Sequence, residues 1–531
     1  MTTVCRAQTD LRYHLAKYDT RRICDNGTIL FVDIENAIRY AGVRFPAMAG
    51  NLLRNDSVSH GGHNLLRFSF LSERIDGEHL HYQGNKTLDT NALSGGQMNI
   101  KGVGTLYGKM EYGKRKTGNV YLNYNVRPED YIPYLVSDTL GSGSVKDERY
   151  IIEGGLGVKR GCMRYGIGGE YEGIASAREA MPRKSVFSYW FRLALSVAKV
   201  TDKWLFAAKA YPEINRQDIS VSSTLSACKF FHFYGLGQWN MKESGSGYAY
   251  KRQAKIMGGG TDLLMRLLPQ KPLGWEWAFG FSYNYRRMQT EETSFKNLYA
   301  SDTHRFSHLV LVSKALCPEL FLHILLSGEG NIRKGEESIY ENRKVDEQQY
   351  LYDYVLVGKN NLYERTCFME SLLMKISWLA FPRHSFSLSG GIAMKGYEEI
   401  YIMPKQEIEN QSILPQLGFG YKMDFPKDNV DWHISLCVKK GIGNKYDVSK
   451  QATFSQLPQA YIPFLIRGED AQILSSSLIY AHAIKKKGKI GFKADCRFLK
   501  RTNLPALSLY DDAYEKRRRN LDFGLSLFYL F

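Results

Sequence analysis

The chain has 531 residues, of which 13% are aromatic, with Tyr (35) ahead of Phe (27), and its 48 Gly against only 15 Pro favour pleated surfaces over helices. Mean hydropathy is -0.34, and the most apolar run, around Leu320 to Leu326, is far shorter than the roughly 18 residues of a membrane helix, so helical spans are excluded. The formal charge is +17, yet the basic residues are dispersed, with short runs at Lys485 to Lys487 and Arg517 to Arg519 beside loops and turns, which reads as solvated loop charge and not as a nucleic-acid face.

Residues 1–63 form a distinct N-terminal segment. Glu35 to Tyr40 looks like a short helical turn ended by Gly42 and Pro46, and Asn51 to His63 is polar and contains glycine. Leu65 to Leu71 and His79 to Tyr82 read as strands. From there strict alternation takes over. Met163, Tyr165, Ile167 and Tyr171 alternate with Arg164, Gly166, Gly168 and Glu170. Phe187, Tyr189, Phe191, Leu193, Leu195 and Val197 alternate with Ser188, Trp190, Arg192, Ala194 and Ser196. The run from Ser220 to Arg252 holds two or three strands. Trp275, Trp277, Phe279, Phe281, Tyr283 and Tyr285 then alternate with Glu276, Ala278, Gly280, Ser282 and Asn284, followed by Arg286. The same rule governs 417–425, 430–439 and 490–498, and aromatic residues stand near segment ends at Trp275, Tyr285, Trp378, Trp432 and Tyr480.

Such a period of two gives each strand one apolar and one polar or small face. A soluble sheet would need a second layer over the apolar face, whereas a transmembrane barrel turns it to lipid, with about 10 residues per crossing. Short polar turns at Thr201 to Lys203, Cys317 to Glu319, Pro382 to His384, Pro426 to Asn429 and Lys486 to Gly488 separate longer polar stretches, Arg127 to Asp147, Arg333 to Asn361 and Gly443 to Gly468. That asymmetry predicts short periplasmic turns and long external loops. The expected fold is all-β: a transmembrane antiparallel β-barrel over 64–531 with about 16 to 20 strands, centred at about 18. Residues 1–63 are expected to be a plug-like or periplasmic segment.

The chain ends LDFGLSLFYLF, with Leu521, Phe523, Leu525, Leu527, Tyr529 and Phe531 on one face. This resembles the last strand of outer-membrane barrels, which implies that Phe531 and Tyr529 form a signal read by the barrel-assembly machinery. As a whole the sequence resembles the large, poorly characterised outer-membrane β-barrels of Gram-negative bacteria, which implies the bacterial outer membrane as its location and outer-membrane lipid as its surroundings. The start, MTTVCRAQTD, does not show the secretory leader expected there; Arg6-Ala7-Gln8 resembles the end of a cleaved one, so the leader is read as lost or the start as misplaced. No lipobox precedes Cys5, and lipidation is not expected.

Chemistry finds little support. Eight cysteines form no CxxC pair, the histidines, including His60, His63, His79, His81, His232, His308 and His433, make no motif with Ser or Asp, and Gly258 to Gly260 is not a phosphate loop. No catalytic, cofactor or metal residue is predicted. Alternation assigns Arg164, Glu170, Glu172, Arg192, Glu276, Arg286, Lys422, Lys439, Lys493, Asp495 and Arg497 to a polar lumen. Segregated to opposite walls, these charges would filter solutes; paired across the lumen, they would knit a closed barrel. The leading expectation is a channel for small polar, in particular anionic, solutes. A non-conducting accessory barrel partnering a lipoprotein or transport complex comes second, with Arg333 to Asn361 as its docking loop, and an outer-membrane hydrolase third. A TonB-dependent transporter is disfavoured, because the stretch before the strands is too short for its plug domain, and so are assembly factors with repeated periplasmic domains.

Overall fold

A computed structural model describes residues 45–48, 64–80, 82–138, 143–178, 183–222, 228–236, 238–244, 249–267, 274–292, 297–346, 351–448, 458–484, 488–505 and 518–531. In chain order its strands are β1 (Leu65–Asp76), β2 (Lys86–Ile100), β3 (Gly104–Val120), β4 (Val136–Asp138), β5 (Gly143–Arg160), β6 (Met163–Arg178) and β7 (Arg183–Val200). Then come β8 (Trp204–Ser222), β9 (Cys228–Gly235), β10 (Gln238–Ser244), β11 (Ala249–Leu267), β12 (Trp275–Glu292), β13 (Tyr299–Cys317) and β14 (Leu320–Asp346). The last are β15 (Leu351–Phe381), β16 (His384–Tyr401), β17 (Gln406–Asp424), β18 (Asp428–Asp447), β19 (Asp470–Ala483), β20 (Lys489–Asn503) and β21 (Arg519–Leu530), with one helix, α1 (Pro458–Gly468), between β18 and β19.

All but β4, β9 and β10 belong to one 18-stranded antiparallel sheet, and β1 closes it on β21 in register from Leu65↔Leu530 to Asp76↔Arg519. Closure leaves no open edge, the condition a sheet must meet in hydrocarbon. The outer face carries the apolar half of every alternating segment: Phe187, Leu195, Leu388 and Leu417 stand 57 to 65% exposed, a surface that only lipid would cover without penalty. Aromatic rings gather at the short-turn rim, where Trp204 meets Trp277, Trp378 meets Phe386, and Tyr480 meets Phe492, as an interfacial girdle does. The chain is thus a transmembrane antiparallel β-barrel of the outer-membrane type, at the strand number expected. Among the described residues no helix is long and apolar enough to cross a membrane.

At the opposite rim the long connections differ from the expectation in instructive ways. The described part of Arg333 to Asn361 is strand and not loop: β14 runs to Asp346 and pairs with β15 from Leu351, with register shifts at Gly335/Glu336, Ile339/Tyr340 and Lys344/Asp346. Each bulge inserts a residue and exchanges the two faces, so a strand clear of lipid keeps its pairing while losing its period of two. Between Ser220 and Arg252 lie the end of β8, the inner hairpin β9–β10, and the start of β11; β9 pairs with β4, not with the wall. His79 to Tyr82 belongs to the connection between β1 and β2. The helical turn read at Glu35 to Tyr40 and the polar stretch at Asn51 to His63 lie outside the described residues.

Candidate functional site: an ion-paired turn inside the barrel

The connection from β3 to β5 turns inward. Its apolar residues explain why: Tyr124, Val126 and Val136 pack with Val186, Ile219, Val221, Phe230 and Tyr250, and Tyr131, Tyr134 and Leu135 pack with Phe233, Ala254, Ile256, Met288 and Tyr299. Burying rings of this size is worth about 2 kcal/mol or more each, enough to draw an aromatic connection off the rim. Tyr134 stacks on Tyr299 at 4.8 Å. The strand β4 then completes a three-stranded inner sheet with β9 and β10.

At the tip, the 3-10 turn Pro128–Asp130 meets the polar wall. The Asp130 carboxylate accepts from Arg305 at 2.9 Å and from Arg286 at 3.3 Å. Arg333, 1% exposed, donates to the carbonyls of Glu129 (3.0 Å) and Ile132 (2.5 Å) and, through Nε, to Thr303 Oγ1 (2.9 Å). Arg365 lies 3.8 Å from the Glu129 carboxylate, which also accepts from the Tyr82 hydroxyl. Arg127 pairs with Glu172, and Tyr131 donates to Asn215 Oδ1 at 2.8 Å. Burial pushes the Tyr131 phenol far above its ordinary range, so it serves as a neutral donor. Burial opposes the charge of Arg127, but Glu172 and Asp130 outweigh it and hold the guanidinium protonated.

Beneath the turn, Glu213 is the hub of the wall. It accepts from Arg286 Nε (2.6 Å), Arg192 Nη2 (3.0 Å), Asn284 (2.8 Å) and the Trp190 indole (3.2 Å), while Arg192 reaches Glu170 at 3.5 Å. Removing one partner of such a buried network typically costs about 3–5 kcal/mol, because the other is left charged in a poorly solvated place. The arm holding the turn is itself held against preference: Leu122 and Arg127 adopt left-handed backbone at φ of 53° each, at a cost of about 1–2 kcal/mol per residue.

Among the residues singled out from sequence, the structure gathers Glu170, Glu172, Arg192 and Arg286 around the inserted turn. The others stand elsewhere along the wall. Arg164 is in register with Ala198 near the short-turn rim. Glu276 accepts from Arg266 Nε at 2.7 Å, Lys422 lies 3.9 Å from Asp431, and Lys439 donates to the Ile466 carbonyl of α1 at 2.8 Å. Lys493 pairs with Asp495 at 2.9 Å, and Arg497 lies 3.9 Å from Asp522. Tyr529 stacks on Phe531, which stands half exposed on the outer face. Sequence reasoning missed Asp130, Glu213, Arg305, Arg333 and Arg365. Arg305 was within reach, since Thr303, Arg305 and Ser307 alternate with His304, Phe306 and His308; Glu213 was hidden because Ala208, Ala210 and Pro212 dilute the apolar face of β8. Among the described residues no group of three or more His, Cys, Asp or Glu side chains is arranged to hold a metal.

No curated protein matches the sequence. Among solved structures, the ferric-catecholate import receptor Fiu from E. coli K12 (open form) is 7% identical, with 87% of this chain and 81% of that one covered, at a TM-score of 0.35. The ferric enterobactin receptor PfeA from Pseudomonas aeruginosa is 10% identical (89% and 82% covered, TM-score 0.37), and the ferric preacinetobactin receptor BauA from Acinetobacter baumannii is 8% identical (88% and 80% covered, TM-score 0.34). Likeness at this level transfers nothing about ligands. Residues 65–529 match a family of unknown function, DUF6850, and the chain belongs to that family.

Proposed function

We propose that this outer-membrane barrel is a gated channel for small polar, anionic solutes, closed by its own Tyr121–Asp138 segment. The observation that carries the reading is the grip of Arg286 and Arg305, from two wall strands, on the single carboxylate of Asp130. An ionic contact of this kind can be taken over by a competing anion, which a packed apolar core cannot. The residues assigned to the lumen from alternation, Arg164, Glu170, Glu172, Arg192, Glu276, Arg286, Lys422, Lys439, Lys493, Asp495 and Arg497, would line the conduit around this gate.

Residues 1–63 would contribute a plug-like or periplasmic segment ahead of the barrel at 64–531. In support, Phe45 and Ala47 are buried against the inner wall, and the Ala47 amide donates to Ser196 Oγ at 2.7 Å. Tyr529 and Phe531 would be the signal for the barrel-assembly machinery. The test is planar-bilayer recording of the purified full chain. Wild type should be mostly closed, and D130N combined with E129Q should give discrete conductance steps. A folded double variant as silent as wild type at every voltage would overturn the channel.

A second reading, an accessory barrel that docks a lipoprotein or transport complex, draws on the hairpin above the rim. There Ile339, Tyr354, Leu356 and Val357 stand 43 to 46% exposed on the stretches of β14 and β15 that, among the described residues, pair with each other beyond their ladders with β13 and β16. A stoichiometric partner recovered with wild type and lost with I339D/L356D would favour it.

A further inference from the structure

Arg286, Arg305, Arg333 and Arg365 come from four consecutive wall strands, β12 to β15. Thr303 lies in register between Arg286 and Arg333, and Arg333 lies directly opposite Arg365. Arg286, Arg333 and Arg365 are 9, 1 and 4% exposed. Like charges placed side by side with so little water are unfavourable unless an anion joins them. On the wall itself, Glu213 accepts from Arg286 and the neutral Thr303 hydroxyl from Arg333. The inserted turn brings in further negative charge, through Asp130 at Arg286 and Arg305, and Glu129 near Arg365, with two carbonyls capping Arg333.

We infer that these four arginines form a binding socket for a small dicarboxylate anion, and that the adjacent carboxylates of Glu129 and Asp130 occupy it as an internal competitor. The inference rests on the channel reading above and names its solute. Planar guanidinium groups converging from neighbouring strands suit paired carboxylates better than a single point charge. The turn does not exhaust the socket: Arg365 meets Glu129 only at 3.8 Å, and its buried Nε makes no hydrogen bond among the described residues. The left-handed backbone at Leu122 and Arg127 means that the turn is held inward partly by the arginines, so an anion that takes over their donors also frees the arm. A free solute must out-compete a ligand tethered at high effective concentration, so wild-type affinity should be weak and removal of the tethered carboxylates should reveal the socket.

The experiment is calorimetric titration of the full chain in detergent micelles with succinate, and with neutral succinamide as control. E129Q/D130N, which preserves side-chain shape, should bind succinate at least about ten-fold more tightly than wild type; adding R365Q should reverse the gain, and succinamide should bind none of them. The socket is overturned if the folded double variant, checked by circular dichroism, binds succinate no more tightly than wild type, or if succinamide binds equally well. Conductance separates the two readings. A double variant that conducts without gaining succinate affinity removes the socket and leaves the channel, whereas one that gains affinity and stays silent removes the channel and leaves the socket.

Discussion

Two connections at the same rim take opposite courses. Tyr121 to Asp138 folds into the barrel, whereas Ser338 to Leu362 rises away from it. The inward segment carries four charged residues, Arg127, Glu129, Asp130 and Asp138, and each meets a wall partner: Glu172, Arg365, the pair Arg286 and Arg305, and Arg178. Its remaining side chains are largely aromatic or aliphatic and fill two buried clusters. The outward hairpin spreads more charge along its length and satisfies it locally, as in Arg343 with Glu341 at 2.7 Å and Lys359 with Glu336 at 2.8 Å, both in water. The difference teaches that a connection enters a barrel when its apolar residues find the wall and each of its charges finds a fixed counter-charge there. A charge without one would cost more than the burial returns.

The contrast breaks most severely at Arg333. Replacing it with Ala leaves the Glu129 and Ile132 carbonyls and the Thr303 hydroxyl without their donor, and each orphaned buried acceptor costs about 1–3 kcal/mol. R333A should therefore free the inserted segment while leaving the barrel assembled. In proteoliposomes, protease should nick between Tyr121 and Asp138 in R333A and not in wild type, with R333K intermediate; equal resistance of all three would mean that apolar packing alone holds the segment. Gly235 offers a smaller perturbation. At φ 106° a Cβ would stand 2.7 Å from the Tyr363 ring and 3.0 Å from Pro133, so G235A should push the inner hairpin off both, at about 1–3 kcal/mol. Faster hydrogen exchange confined to 228–244 and 121–138 is the expected signature, and unchanged exchange would place slack at that contact.

The outer half of the molecule was legible in the sequence because lipid imposes one rule on every strand. Trp275 to Tyr285 and Phe187 to Val197 could be read residue by residue, and the strand number followed from counting the short turns and longer polar stretches between such segments. The inner half obeys no such rule. Asp130 meets Arg286 and Arg305 on the sixth and seventh wall strands that follow it, and nothing local to Pro128–Asp130 distinguishes it from an exposed turn. Alternation could put Arg192 and Arg286 on one face, but not say that both would find Glu213. The inner sheet was missed for a related reason: β4 is three residues long, and β9 meets it only after β5, β6, β7 and β8.

On the outward hairpin, I339D/L356D should leave barrel stability within about 0.5 kcal/mol of wild type, because the substituted residues are already exposed. Unchanged heat-modified migration on a gel is the expected result; a lower melting point would show that this hairpin too supports the wall.

The smallest effect is expected at Glu78, in the connection between β1 and β2. Burial raises its carboxyl above the ordinary range, although Arg501, 3.0 Å away, pulls it back. Between the ordinary and the raised value the folded chain holds a proton that the unfolded chain has released, so this group's contribution grows as pH falls through that window and is a slight cost above it. E78Q removes both the cost and the pH dependence. It also takes an acceptor from Arg501, whose Nε still reaches Glu469 at 2.6 Å. Melting of wild type and E78Q in detergent should therefore nearly coincide at neutral pH, with only wild type gaining as the solution is acidified toward the Glu range. A large loss in E78Q at neutral pH would reverse the balance between burial and the Arg501 pair, and would make this ion pair a structural clasp at the rim.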